Sequence, residues 1–242
     1  MDLEIERLQY LIDNAKHIVF FGGAGVSTES GIKDFRSKDG LYQLHSKYGQ
    51  PYEVMLSHSY FLSETDTFYK FYREFMINTA AKPNEAHKFL AALEKKKDLI
   101  VITQNIDGLH QLAGSQKVIE LHGSIHRNYC MDCHEFYDLD DILKMYGTPR
   151  CPHCGGIIKP DVVLYEEPLD SESINNAINA LARADLLIVA GTSLSVYPAS
   201  GLIQYYGGHN LVLINKEHLT TRVGATLEIN APVGETLSKI KI

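Results

Sequence analysis

Leu3, Leu8, Leu11 and Ile12 recur at helical spacing and predict an opening helix that ends near Ala15. An unbroken apolar run follows, His17-Ile18-Val19-Phe20-Phe21, and stops at Gly22-Gly23-Ala24-Gly25. A short run of this kind stopped by glycines predicts a strand buried on both faces that feeds a tight loop. Runs of the same character recur at Leu99–Ile102, Leu186–Ala190 and Leu211–Ile214, with a weaker β-like stretch at Lys117–Glu120. Between them, Asn84 to Lys97 and Ser171 to Ala184 carry the spacing of amphipathic helices. Strands alternating with helices predict an α/β fold with a doubly wound parallel sheet, whose ligands bind at the carboxyl ends of the strands.

Two stretches break the alternation. From about Gly31 to Lys82 the chain is rich in aromatics, including Tyr60, Phe61, Phe68, Tyr69, Phe71, Tyr72 and Phe75, and reads as a small helical unit with an aromatic core. From about Ile125 to Lys159 it holds all four cysteines. Lys95, Lys96 and Lys97 close the Asn84 helix and read as a solvated face.

Composition narrows the function classes. A chain of 242 residues that is 45% hydrophobic and 22% charged has enough apolar surface for a sizeable core. Its formal net charge of −7 gives no electrostatic footprint for nucleic acid. The N-terminal segment has acids and no unbroken apolar stretch, unlike a secretory signal, and no run of membrane-spanning length occurs. The sequence therefore reads as cytoplasmic, with neither a nucleic acid nor a membrane as partner.

The cysteines form two pairs, Cys130-Met-Asp-Cys133 and Cys151-Pro-His-Cys154, seventeen residues apart. That spacing matches a zinc ribbon: each pair turns two sulfurs towards one point, and two pairs complete a tetrahedron with no open position. Cys130, Cys133, Cys151 and Cys154 are therefore expected to hold one structural zinc per chain. The alternative, two redox-active pairs, usually begins a helix in a thioredoxin-like unit, which is not the context of Cys130. His134 and His153 are possible substitute ligands.

Gly23-Ala24-Gly25 after a strand suggests phosphate binding, but glycines also serve plain tight turns. A dehydrogenase fingerprint is incomplete. Its third glycine would fall on Thr28, and Gln43 to Lys47 hold no acid for a ribose hydroxyl, which disfavours an ordinary nicotinamide oxidoreductase. Other polar clusters also follow predicted strands: Thr103-Gln104-Asn105-Ile106-Asp107, Leu121-His122-Gly123-Ser124, Gly191-Thr192-Ser193-Leu194, and Asn215. Singly, Asn105, Thr192, Ser193 or Asn215 could cap helices and His122 could be a core histidine. Jointly they predict convergence on one edge of the sheet.

Together these segments closely resemble the sirtuin family, of bacterial type. The resemblance rests on Gly23–Ile32, Asp34-Phe35-Arg36, Gln104–Asp107, His122-Gly123, the two cysteine pairs and Gly191-Thr192-Ser193, in family order over nearly the whole chain. It implies an NAD-dependent protein lysine deacetylase that transfers the acyl group to ADP-ribose and releases nicotinamide. Ala24, Gly25 and Thr28 would lie against phosphate and ribose, with Asp34, Phe35 and Arg36 in the loop that covers the cofactor. Gln104, Asn105, Ile106 and Asp107 would line the nicotinamide pocket, and Gly191, Thr192, Ser193, Asn215 and Val233 the adenosine end. His122 would be the general base, with Asn105 beside it as the second catalytic residue.

Acyl-lysine peptides would pair between Val162–Glu167 and Thr192–Tyr197, touching Val163, Tyr165 and Val196. The resemblance implies a Rossmann-like NAD-binding domain of residues 1–30, 83–124 and 160–242. Residues 31–82 would form the cofactor loop and helical insertion, and 125–159 the zinc module. Two departures stand out. Tyr165-Glu166-Glu167 replaces a common Phe-Gly-Glu, and Tyr69 and Tyr72 stand where succinyl-preferring members carry Tyr and Arg. A mono-ADP-ribosyltransferase on the same scaffold and a non-catalytic NAD-sensing zinc-ribbon adaptor are the alternatives; the presence of both His122 and Asn105 argues against the adaptor.

Overall fold

The computed structural model describes residues 2–34, 48–194, 197–218 and 224–242. Helix α1 (Asp2–Asn14) leads into strand β1 (His17–Gly22), which ends in two 3-10 turns, Ala24–Val26 and Thr28–Ser30. Helices α2 (Tyr52–Met55), α3 (His58–Ser63), α4 (Thr65–Phe75) and α5 (Glu85–Glu94) precede β2 (Asp98–Thr103), α6 (Leu109–Leu112) and β3 (Val118–Glu120). Then come β4 (Gly123–Cys130), β5 (Phe136–Tyr137), α7 (Leu139–Lys144), β6 (Ile158–Val162), α8 (Ser171–Arg183) and β7 (Leu186–Ala190). A 3-10 segment Ala199–Tyr205, β8 (Asn210–Ile214), β9 (Leu227–Ile229) and α9 (Val233–Leu237) complete the chain.

Six strands form a parallel sheet in the order β3-β2-β1-β7-β8-β9. Alternate residues of each strand feed opposite faces. Ile18, Phe20, Ile188 and Val212 pack with Leu8, Ile12, Leu90 and Leu237 of α1, α5 and α9. Val19, Phe21, Leu187 and Leu213 pack with Ala177 and Leu181 of α8 and with Leu202. Burial on both faces explains why these strands read as unbroken apolar runs. Side-chain caps set where the covering helices begin. The Asn84 side chain accepts from Ala86 N–H at 2.9 Å, and Asp170 accepts from Ser173 N–H at 2.7 Å.

The aromatic stretch supplies the core of a second cluster. Phe61, Phe68, Tyr69, Phe71 and Tyr72 are buried together with Ile125, Leu139, Val162 and Leu164. This cluster packs helices α2 to α4 against a three-stranded antiparallel sheet, β5-β4-β6, which also carries the cysteines.

The observed elements depart from the sequence reading in three places. Helix α5 ends at Glu94 rather than Lys97. Lys97 is not part of a solvated face, because its ammonium donates to the carbonyls of Asp13 at 2.6 Å and Ala15 at 3.2 Å, at the end of α1. Strand β9 and the small sheet were not anticipated, since β9 is three residues long and β4 is interrupted by polar residues.

Helices α5 and α6 meet through two fully buried histidines, with the His87 and His110 rings 4.6 Å apart. Burial lowers the His87 pKa to about 4. Burial and the neighbouring His87 lower that of His110 to about 3. Both are therefore neutral in the folded protein, while the unfolded chain protonates them near 6.5. Stability from this pair is complete above pH 6.5 and is lost as pH falls through about 4 towards 3, because the unfolded state then binds more protons. The melting temperature in zinc-saturated buffer is expected to fall steeply over that window, and His110→Leu should flatten the slope. Equal slopes in the two proteins would show that these histidines do not govern acid stability.

Candidate active site

In strand order within the large sheet, the topology is 3-2-1-4-5-6, so β1 and β7 flank the point where the winding reverses. Ligands of such sheets bind beyond the carboxyl ends of the strands at that point. The register aligns those ends: Gly22 is level with Thr103 and Ala190, Ala190 with Ile214, and Thr103 with Glu120. The clusters beginning at Gly23, Gln104, Leu121, Gly191 and Asn215 therefore leave the sheet along one edge.

The glycine loop is locked onto the end of β7. Gly25 N–H donates to Gly191 O at 2.7 Å, and Gly23 N–H donates to Ala190 O at 3.2 Å. A Cβ at Gly25 would lie 2.7 Å from Gly191 Cα, and Gly191 itself has a left-handed φ of 58°. No other residue type permits this approach. The segment beyond the loop forms 3-10 turns rather than a full helix, with Thr28 Oγ1 donating back to Gly25 O at 3.0 Å.

This fold brings Ser27, Asn105 and Asp107 together. Ser27, only 1% exposed, donates to Asp107 Oδ2 at 2.6 Å, and Asn105 Nδ2 donates to Ser27 Oγ at 3.0 Å. The second Asp107 oxygen accepts from Leu109 N–H at 2.9 Å. Burial raises the Asp107 pKa against the opposing effect of those hydrogen bonds. Ser27 had not been singled out as a site residue, although it lies inside the Gly23–Ile32 motif. Nearby, Gln104 Nε2 donates to Thr192 Oγ1 at 3.1 Å, and Asn215 Nδ2 to Thr192 O at 2.9 Å. Thr192 is buried and Ser193 exposed.

His122 stands on the two-residue connector between β3 and β4. Its Nδ1 lies 2.8 Å from Gln104 O. A carbonyl only accepts, so Nδ1 carries the proton and Nε2 keeps its lone pair. Burial lowers the His122 pKa, and the Gln104 contact offsets part of that shift. The ring is therefore neutral and basic at Nε2.

The remaining candidates are more scattered. Val163 N–H donates to His122 O at 3.0 Å, which puts Val163 beside the histidine. Tyr165 is partly exposed, bridges to Ser57 and meets Tyr52 edge-on at 6.3 Å. Val233 is 3% exposed and its side chain belongs to the core, so a ligand could meet only its backbone. Its helix is held to the glycine loop by Glu29, which accepts from Gly234 N–H at 2.6 Å. Asp34 is partly buried and is the last described residue before position 48. Phe35, Arg36 and Val196 lie outside the described residues, as do Gln43 to Lys47.

Both departures from the family pattern acquire a physical form. Glu166 keeps the left-handed backbone, φ 76°, that a glycine would adopt. Its carboxylate accepts from Ser59 N–H at 2.9 Å and Ser59 Oγ at 3.0 Å, which offsets a strain of about 1 kcal/mol. Tyr69 donates to Ile158 O, and the Tyr72 hydroxyl is buried without a partner. Arg73 is committed to the carbonyls of Gly147 at 2.6 Å and Met145 at 2.7 Å, beside the cysteine module.

The cysteine sulfurs all lie within 4.8 Å of one another. Cys130 and Cys154 are 3.4 Å apart, and Cys133 and Cys151 3.6 Å. Zinc–sulfur bonds of about 2.3 Å in a tetrahedron require sulfurs about 3.8 Å apart, so the four thiolates fit one zinc. Among the described residues neither His134 nor His153 joins the cluster. Tyr137 lies 3.1 Å from the Cys151 sulfur and can donate to it as a thiolate.

A glycine loop at the switch point of a 3-2-1-4-5-6 parallel sheet, beside a four-thiolate module, defines a dinucleotide-binding α/β protein with a structural zinc site. Residues 23–198 match the model of the Sir2 family. Over 239 residues the chain is 54% identical to an NAD-dependent protein deacetylase of Clostridium acetobutylicum, covering 98% of both chains. It is 56% identical over 237 residues to one of Clostridium tetani, covering 97% of this chain and 96% of that protein. A solved Sir2 variant with deacetylated p53 peptide and 3'-O-acetyl ADP ribose superposes with a TM-score of 0.88 at 38% identity, covering 97% of this chain and 96% of that one. A Sir2 structure bound to acetylated peptide gives 0.84 at 38% identity, with the same coverage. The chain belongs to the Sir2 family.

Elemental analysis is expected to find one zinc per chain, and chelation should lower the melting temperature by more than about 5 °C, because the metal stabilises only the folded site. Metal-free protein of unchanged stability would contradict the four-thiolate assignment.

Proposed function

We propose that this protein removes acetyl groups from protein lysine side chains with NAD as co-substrate, releasing nicotinamide and O-acetyl-ADP-ribose. The observation that carries this reading is His122, neutral and basic at Nε2, beside the Ser27–Asn105–Asp107 cluster at the sheet's switch point. No helix among the described residues is long and apolar enough to cross a membrane, and the substrates are acyl-lysine segments of proteins.

NAD would supply an activated nicotinamide–ribose bond, whose ribose carbon would accept the acyl oxygen as that bond breaks and nicotinamide leaves. Asp107 receives the carboxamide: each carboxylate oxygen accepts one internal hydrogen bond and keeps a further lone pair. Asn105 and Ile106 complete that pocket, and Gln104 supports it through Thr192. Ala24, Gly25 and Thr28 face phosphate and ribose. Gly191, Thr192, Ser193, Asn215 and the Val233 backbone surround the adenosine end. Val163 and Tyr165 contact the acyl-lysine. His122 takes a proton at Nε2 from a ribose hydroxyl. Its Gln104 hydrogen bond fixes the tautomer, and its lowered pKa keeps the base form populated at neutral pH.

His122→Ala is expected to lower the deacetylation rate by about 10²–10⁴-fold, the usual cost of losing a general base, while NAD binding by calorimetry stays near the parent value. Parent-like turnover by this variant would remove His122 from the mechanism.

Acetyl-lysine should be strongly preferred over succinyl-lysine. Arg73 is held on backbone carbonyls and the Tyr69 hydroxyl is already committed, which leaves the Tyr72 hydroxyl as one neutral donor and no cation for an acyl carboxylate. Burying a carboxylate without a cation costs several kcal/mol, and a residual penalty of about 3 kcal/mol is more than a hundredfold in kcat/KM. Comparable kcat/KM on matched acetyl and succinyl peptides would show that a cation does reach the acyl tail.

A further inference from the structure

Strand β4 runs from the His122 connector to the zinc module, and its pairing with β6 is broken in one place. Ser124 pairs with Asp161 and Asn128 pairs with Pro160, so Ile125, His126 and Arg127 have no counterparts on β6. Pro160 has no N–H to offer the ladder, which suits it to a bulge. Bulges next to active sites re-aim side chains, and here the three bulged residues reach the loop after β2 or the end of β3. Ile125 N–H donates to Ile106 O at 3.0 Å. His126 Nε2 lies 3.1 Å from Asp107 O and donates to it. Arg127 reaches furthest: its Nη1 meets Glu120 Oε2 at 2.7 Å, at the end of β3.

The same guanidinium turns its Nε to Asp161 Oδ2, also at 2.7 Å. Arg127 therefore spans the junction that His122 occupies, with one carboxylate from each sheet. Glu120 lies two residues before His122 on the large-sheet side, and Asp161 pairs opposite Ser124, two residues after it. Glu120 is also fixed from its other oxygen by Gln111 Nε2 at 2.8 Å, and its side chain is 10% exposed. The ring of His122 is anchored to the large sheet through Gln104, while its backbone carbonyl is anchored to the small-sheet side through Val163. A small rotation of one sheet against the other pulls these anchors apart. Only a planar fork with several donors can hold both carboxylates in fixed geometry; a lysine ammonium on its flexible stem cannot.

We infer that Arg127 is a positioning residue for deacetylation: by clamping Glu120 to Asp161 it fixes the β3–β4 junction and so the placement of His122 Nε2. The inference rests on the reading of His122 as general base. Neither Glu120 nor Asp161 is a proposed NAD contact, and Asp107 keeps its own bonds to Ser27 and Leu109 when the clamp is lost, so the loss acts on turnover more than on cofactor affinity. A misplacement of about 1 Å at a reacting group costs up to about a hundredfold.

The test compares the zinc-loaded parent with Arg127→Met, Arg127→Lys, Glu120→Gln and His122→Ala. Deacetylation kcat is measured at saturating NAD and acetyl peptide, with NAD affinity from calorimetry and melting temperature alongside. Arg127→Met is expected to lower kcat about tenfold or more, with NAD affinity within about twofold and the protein folded at assay temperature. Arg127→Lys should recover part of kcat, since a point charge still reaches one carboxylate. Glu120→Gln removes the large-sheet anchor with little change in shape. It should lower kcat in the same direction, which keeps the test decisive if Arg127→Met does not fold. Parent-like kcat in Arg127→Met, or in Glu120→Gln if Arg127→Met does not fold, would overturn the clamp if His122→Ala is inactive as expected. A joint fall in kcat, NAD affinity and melting temperature would also overturn it, as a general structural loss. A fully active His122→Ala would overturn the underlying reading itself.

Discussion

The contact between Gly25 and Gly191 is the constraint on which the site depends. Two backbones approach so closely that a Cβ at Gly25 would collide with Gly191 Cα, and a 2.7 Å hydrogen bond closes the gap. The approach ties the loop after β1 to the loop after β7 across the switch point. Ser27 is thereby carried to Asn105 and Asp107, and Thr192 to Gln104 and Asn215. The parallel register brings five strand ends level; the glycine contact turns that edge into a pocket with defined partners.

The zinc module is mechanically continuous with this pocket. Strand β4 begins beside His122 and ends at Cys130, a zinc ligand by the sulfur geometry. A disturbance of the metal would therefore reach the His122 connector along one strand. The aromatic cluster of α2 to α4 braces the same strand through Ile125 and also packs Val162 and Leu164, leading to the proposed peptide-contacting segment. Burying each such ring or branched side chain stabilises by about 1.5–3 kcal/mol, so this cluster holds a small sheet that would be marginal alone.

Much of this was legible in the sequence because its signals are local. Apolar runs ending in glycine or polar residues marked β1, β2, β7 and β8, since strands buried on both faces need no alternation. The cysteine spacing announced a four-thiolate site for a similar reason: two short turns set the geometry. What escaped depends on tertiary pairing. Ser27 looks like any loop serine until Asp107 is folded against it. The β4 bulge comes from pairing with Pro160, thirty-odd residues away, so Arg127 carries no signal of its own. Tyr69 stands out in the sequence only as part of an aromatic run and a family pattern, whereas its hydroxyl joins α4 to β6. Phe35, Arg36 and Val196 were legible only through family resemblance.

On the proposed mechanism, activated ribose is captured by the acyl oxygen of a lysine substrate under the control of His122. The most direct measurement is product analysis by mass spectrometry after incubating the protein with acetyl-lysine peptide, with and without NAD. Free lysine peptide, nicotinamide and O-acetyl-ADP-ribose are expected in equal amounts, and only with NAD. ADP-ribose attached to protein in place of O-acetyl-ADP-ribose, or deacetylation without NAD, would contradict this mechanism.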